Sequence, residues 1–342
     1  MTSNSENRGG TLLEYLRILT PFLEDNQNTE IIINQPGEVI TENRHGWSFF
    51  KVPELTYQHL TMMAKLVATY SGQSLDSQNP ILSATLPHGE RIQIVIPPIT
   101  LDGKISFTIR KPMMQSITLK NYEEQGAFLD CFENSEELLE EEIKLLEFKK
   151  QKHYLEFLKL AVLSRKNIII SGSTGSGKTT LMRSLMQEVP SEERLISIEN
   201  VDELGLYNTH QNSVSLFYSA GGQGISSVNQ QQLLESSLRM KPDRIFVAEL
   251  IRGDEAFYYL RNVNSGHPGS IASLHANSAK LAIEQLVLLL KESSSGSTLS
   301  RQDIKQLLFM CVDIIIQVKN IKGRYAITEM YYDPEHKRQL MI

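Results

Sequence analysis

Thirteen consecutive residues, Asn167-Ile-Ile-Ile-Ser-Gly-Ser-Thr-Gly-Ser-Gly-Lys-Thr179, restrict what this chain can become more than any other stretch. The run Ile168-Ile-Ile170 is β-branched and apolar on both faces, the pattern of a buried strand. Three glycines then interrupt it, Gly172, Gly175 and Gly177, and Leu181, Met182, Leu185 and Met186 follow at helical spacing. A strand, a glycine loop, a Lys-Thr pair and a helix form the phosphate-binding loop in its required context. Glycines let backbone N–H groups turn inward onto phosphate oxygens, and the helix N-terminus adds a favourable dipole. Gly172, Ser173, Thr174, Gly175, Ser176, Gly177, Lys178, Thr179 and Thr180 thus form the expected cradle for a nucleoside triphosphate. Lys178 supplies a point charge for the β- and γ-phosphates, and Thr179 a hydroxyl for Mg²⁺.

A chain of 342 residues exceeds one compact core and predicts two domains. The net charge of −6 argues against a protein whose main task is gripping a nucleic-acid backbone, so no direct nucleic-acid contact is expected. Cys131 and Cys311 are too far apart in sequence for a zinc or disulfide framework, which points to a reducing, cytoplasmic setting. The first ten residues lack the apolar core of a secretory signal. The most apolar stretch, Phe309 to Val318, is short and broken by Asp313, so any membrane contact is expected to be peripheral.

Three segments follow from the patterning. Residues 1–112 predict a small α+β domain: a disordered tail to Gly10, a helix over Leu12–Leu23, a strand at Glu30–Ile33 and a turn at Asn34-Gln-Pro-Gly37. A second strand ending in a tip with Trp47, a helix over Leu55–Tyr70 and strands at Ile81–Leu86, Arg91–Ile96 and Ile105–Arg110 complete it. Residues 113–152 predict a linker with one charged helix, capped by Asn134 with Glu137, acidic at its start and carrying Lys149, Lys150 and Lys152 at its end. Residues 153–342 alternate helix and strand, the signature of a mostly parallel sheet covered on both faces, with a glycine-rich loop (Gly221, Gly222, Gly224) and a closing hairpin, Asp313–Val318 with Arg324–Tyr332.

Phosphoryl transfer needs a metal ligand, a group that orients the attacking water and positive charge on the γ-phosphate. In a phosphate-loop sheet these stand just past strand ends. Glu249 ends the strand Arg244–Ala248 and suits Mg²⁺, directly or through water. Glu199, Asp202 and Glu203 follow the strand Leu195–Ile198, and one of the three is expected to act on the water. His275 ends a later strand and suits the γ-phosphate, whereas His267 beside Pro268 suits a turn. Spacing alone gives Arg91 and Arg110 no more than a sheet-flanking role.

Four segments together resemble a known family. Gly172–Thr179, Ile198-Glu-Asn-Val-Asp-Glu-Leu204, Leu238-Arg-Met-Lys-Pro-Asp-Arg244, and Ser265-Gly-His-Pro-Gly269 with Leu274-His-Ala-Asn277 look like the Walker A, aspartate, Walker B and histidine boxes of secretion traffic ATPases. The likeness is strongest to the VirB-eleven family of type IV secretion and conjugation machines. Ile33-Asn-Gln-Pro-Gly37, Gly89-Glu-Arg91 and Phe107-Thr-Ile-Arg-Lys-Pro112 extend it over nearly the whole chain.

The resemblance implies a RecA-like P-loop domain behind the smaller α+β domain. It further implies a homo-hexameric ring that holds ATP and Mg²⁺ between the two domains and works with inner-membrane components of the machine, at the cytoplasmic face. By the same resemblance Glu203 becomes the general base, Glu249 the Walker B acid on the metal beside Thr179, His275 the γ-phosphate sensor, and Arg91 and Arg110 phosphate-contacting arginines. Departures are Asn200 where an acid is usual, Ala248 where glycine is commoner, and one extra residue in Leu250-Ile-Arg-Gly253, which leaves Arg252 out of the site. A type II secretion or type IV pilus motor and a non-hydrolysing nucleotide-binding scaffold are the alternatives; two distant cysteines cannot build the four-cysteine zinc module of many assembly motors.

Overall fold

The structure is a computed structural model and describes residues 3–112, 118–129, 137–219, 221 and 224–341. Six strands form a first sheet: β1 (Glu30–Ile33), β2 (Glu38–Asn43), β3 (Gly46–Lys51), β4 (Ile81–Thr85), β5 (Arg91–Val95) and β6 (Ser106–Arg110). Their order is β3-β2-β1-β6-β5-β4, with every neighbouring pair antiparallel. The two-residue period splits this sheet cleanly. Ile31, Ile33, Val39, Ile92, Ile94, Phe107 and Ile109 face a core shared with the helices Ser3–Leu16 and Tyr57–Ser71. The Tyr57–Ser71 helix starts where the Thr56 hydroxyl accepts from the His59 N–H, and it stops at Gly72, whose φ of 69° favours glycine.

Seven strands form the second sheet: β7 (Ile168–Ser171), β8 (Leu195–Glu199), β9 (Ser213–Phe217), β10 (Arg244–Val247), β11 (Ile271–Leu274), β12 (Ile314–Ile321) and β13 (Arg324–Tyr332). The order is β13-β12-β7-β11-β10-β8-β9, parallel throughout except for the β12–β13 hairpin at one edge. Alternate residues feed two cores, as a doubly covered sheet requires. Ile169, Ile196, Ile198, Ile245, Val247, Ala272 and Leu274 enter one, and Ile168, Ile170, Leu195, Phe246, Ile271 and Ile314 the other.

Several local expectations shift. The first helix begins at Ser3, so the segment to Gly10 is helical backbone where disorder was expected, and Arg17–Leu19 tightens into a 3₁₀ turn. The charged helix runs Glu140–Gln151, with Leu139 at its N-cap and the Glu142 carboxylate accepting from the Leu139 N–H. Asn134, its expected cap, lies outside the described residues, as do Cys131 and Gly222. This helix sends Leu145 into the second sheet's core, and Glu142 pairs with Lys166 at 3.2 Å and Arg338 at 2.7 Å. The strand β9 and the helix Pro334–Gln339 are additions: Val214 and Leu216 of β9 alternate with Ser213 and Ser215 at the two-residue period of a strand, whereas six residues are too few to show a helical one.

The uncovered face of the first sheet rests on the second body. Gln93 Nε2 donates to Ser236 Oγ at 2.9 Å, and Lys241 Nζ reaches Glu42 Oε1 at 2.9 Å. The buried Arg194 guanidinium donates from Nη1 to Asn34 Oδ1 at 2.9 Å and Asn212 Oδ1 at 2.6 Å, one residue from each body. On the same face Glu30 is buried 3.5 Å from Arg110, with Oε2 unpartnered. Burial pushes its carboxyl up to about 7, against the opposing pull of Arg110. A carboxyl raised in the folded state favours folding while protonated and loses that contribution as pH rises through the folded value. Glu30→Gln is therefore expected to raise the Tm by roughly 2–5 °C at pH 8 and leave it unchanged near pH 4.5. A Tm difference that does not vary with pH, measured by thermal melts across this range, would contradict it.

Candidate nucleotide site

The chain leaves β7 at Ser171, turns through the glycine loop and enters the helix Lys178–Met186 directly, with Gly177 at its N-cap in the left-handed region (φ 96°). No side chain caps this helix, so its first N–H groups face the loop's hollow. Gly172 is sterically required: a Cβ there would stand 2.7 Å from the Val318 carbonyl oxygen and collide with the Ser176 hydroxyl. That hydroxyl is buried without a partner, an orphaned donor inside the cradle that a phosphate oxygen would satisfy. The Lys178 ammonium donates to the Gly172 carbonyl at 3.1 Å and stands 3.7 Å from Glu249. Burial lowers its pKa and the Glu249 carboxylate works against that shift.

Because β7, β11, β10 and β8 are consecutive neighbours, their C-terminal ends deliver residues to one place. Glu249, past β10, lies 2.6 Å from His275 Nε2, past β11. His275 Nδ1 stands 3.2 Å from Lys178 Nζ and 3.1 Å from the Gly172 carbonyl. With Nε2–H donated to Glu249, a neutral ring accepts from Lys178 at Nδ1; a charged ring donates there to Gly172 instead. The three acids at and just past the end of β8 separate by contact. Glu203 Oε2 accepts from the Thr179 hydroxyl at 3.1 Å, and Asp202 accepts from Tyr207 at 3.0 Å. Glu199 turns inward, accepting from the Ser197 hydroxyl at 2.6 Å and from the N–H groups of Glu203 at 3.0 Å and Leu204 at 2.8 Å. Burial pushes its carboxyl up against those three donors. Glu199 thus fixes the loop that presents Glu203, a part that spacing could not assign.

Arg91 and Arg110 do not join this group. They are cross-strand partners on β5 and β6 and line a cleft of about 690 Å³ with Glu30, Arg239, Lys241 and His267. Lys241 and His267 precede β10 and β11, so this cleft opens at the N-terminal edge of the parallel sheet, opposite the phosphate loop. A four-residue strand alone separates the edges by about 13 Å. The first domain's two arginines do not face the chain's own phosphate loop, whose lateral neighbour is the β12–β13 hairpin, through Val318 and Tyr325. His267 holds its turn through Nδ1, 2.9 Å from the Pro242 carbonyl. Arg252 sits at the N-cap of the helix Gly253–Asn264. Among the described residues no cluster of three His, Cys, Asp or Glu side chains could hold a metal alone. The Thr179 hydroxyl with the nearby carboxylates is nonetheless a hard oxygen donor set, suited to a Mg²⁺ that keeps waters and takes its remaining ligands from phosphates.

The family model "Type II/IV secretion system protein" matches residues 17–317. The chain is 46% identical over 347 residues to the type IV secretion system protein VirB11 of Bartonella henselae, covering 98% of this chain and 97% of that one. It is 35% identical over 327 residues to the type IV secretion system protein PtlH of Bordetella pertussis, covering 95% of each. The crystal structure of the VirB11 ATPase from the Brucella suis type IV secretion system, in complex with sulphate, superposes with a TM-score of 0.92 at 42% identity, covering 99% of both chains. Among the described residues no helix is long and apolar enough to cross a membrane. The larger sheet is that of a RecA-like P-loop ATPase, preceded by a smaller α+β sheet. The chain belongs to the type II/IV secretion system protein family and, within it, to the VirB11 family of type IV secretion ATPases.

Proposed function

We propose that this chain is a Mg²⁺-dependent ATPase motor that works as a hexameric ring, powering assembly of, or substrate transfer through, a type IV secretion machine. The observation that carries the reading is the convergence of Lys178, Thr179, Glu203, Glu249 and His275 on one edge of one sheet. Loop N–H groups and Lys178 bind the β- and γ-phosphates. Bound Mg²⁺ would be held by Thr179 and Glu249 and would neutralise charge on phosphate oxygens. Glu203 takes the proton of the attacking water, and His275 donates to the γ-phosphate, reporting its presence to β11.

Arg91 and Arg110 complete the site of a neighbouring subunit rather than their own. Their cleft faces away from the chain's own phosphate loop, and head-to-tail contacts of this kind close into rings. The division behind this is residues 1–112, a linker at 113–152 and the ATPase domain at 153–342. The linker's last helix travels with the ATPase domain through Glu142 and Leu145. Peripheral attachment at the cytoplasmic face of the inner membrane, through membrane components of the machine, follows from the same reading. Oligomeric mass tests it: with Mg²⁺-ATP the purified chain is expected at six times its monomer mass, and a monomer with and without nucleotide would contradict the ring.

A further inference from the structure

We infer that Tyr325 is the stacking platform for the nucleotide's base, with Ile327 extending the same shelf; the inference rests on the nucleotide reading above. The hydrolytic groups fix which way a triphosphate lies. Glu203, Glu249 and His275 all come from β8, β10 and β11, on one flank of β7. The γ-phosphate belongs at that flank, so the α-phosphate and the nucleoside must leave toward the other, where β12 and β13 stand.

β12 runs parallel to β7 only as far as the Gln317–Ser171 pair, and then continues to Ile321 before the hairpin returns as β13. The hairpin tip therefore rises beside the phosphate loop at the sheet's C-terminal edge. Two contacts bring it against the loop. Val318 closes on Gly172, and the Tyr325 ring occupies the space where a Cβ on Gly177 would sit, with Cδ1 2.9 Å from that position. Val318 opposes Ile327 and Asn320 opposes Tyr325 across the hairpin, so Tyr325 and Ile327 share the loop-facing side of β13.

Both side chains also remain open to solvent: Tyr325 is 63% exposed and Ile327 42%. An aromatic ring seated on the loop's backbone, with most of its surface free and an aliphatic neighbour, is the kind of apolar surface that nucleotide bases stack on. No polar group of the base is read this way, so the platform supplies affinity and orientation, and only weak discrimination between purines.

The test compares two probes on the full chain by titration calorimetry in Mg²⁺: AMP-PNP, which carries a base, and inorganic tripolyphosphate, which does not. Tyr325→Ala is expected to weaken AMP-PNP binding by roughly 5- to 100-fold while leaving tripolyphosphate unchanged. Tyr325→Phe keeps the ring and is expected to bind both probes as the wild type does. Unchanged AMP-PNP binding by Tyr325→Ala would overturn the inference. Equal weakening of both probes would also overturn it, by showing that Tyr325 acts through the shape of the loop at Gly177. A wild-type chain that binds tripolyphosphate and AMP-PNP with equal affinity would remove the platform while leaving the phosphate site intact. A wild-type chain that binds neither would overturn the nucleotide reading, and the inference with it.

Discussion

Glu203→Gln is expected to lower kcat for ATP hydrolysis by roughly 10²–10⁴-fold while ATP affinity stays near wild type. The substitution is nearly isosteric, and the amide oxygen can still accept from the Thr179 hydroxyl, which in this structure donates to Glu203 at 3.1 Å. The loop beneath it stays in place because Glu199 holds the N–H groups of residues 203 and 204 independently. What is lost is the capacity to take a proton from water. Phosphate release measured in parallel with nucleotide binding separates these effects. Turnover at the wild-type rate would remove Glu203 from the base role and direct attention to Asp202, the other exposed acid of that loop.

Much of the site is legible in one dimension because phosphate chemistry constrains local sequence so tightly. The glycines of the loop, the helix start at Lys178 and the acids just past β8 and β10 are set by contacts within a few residues or by strand ends that parallel neighbours must align. The roles of three adjacent acids are another matter. Glu199, Asp202 and Glu203 have the same chemistry, and only the fold reveals that one is buried, one is tied to Tyr207 and one reaches Thr179. Tyr325 lies 148 positions beyond Gly177 in the chain and carries no motif, so its place on the loop comes from strand order alone.

The start of the first helix at Ser3 escaped the pattern because its first turns are polar, and the start of the charged helix at Glu140 because its cap is a backbone N–H held by Glu142. Arg91 and Arg110 mark the limit in the other direction. Resemblance supplied a role for them that spacing did not, and in the fold they lie at the edge of the parallel sheet remote from the chain's own phosphate loop.

That placement makes the second large prediction. Arg110→Ala is expected to lower kcat by roughly 10³–10⁵-fold, the range for an arginine that neutralises transition-state charge. The chain's own nucleotide affinity should change little, since Arg110 is 71% exposed and contacts Glu30 rather than the loop. Arg91→Ala is expected to follow it in direction. Neither variant should disturb the fold, because both side chains stand at the exposed ends of their strands.

Whether each site is built from two subunits is decided by mixing. Arg110→Ala and Glu203→Gln chains, each inactive alone, are combined in equal amounts with Mg²⁺-ATP and phosphate release is followed. If a subunit's arginine serves its neighbour, random mixing restores both groups at about a quarter of the sites, and activity returns to roughly that fraction of wild type. If the mixture stays as inactive as its parts while forming the same rings, the arginines do not act across subunits and the central claim fails.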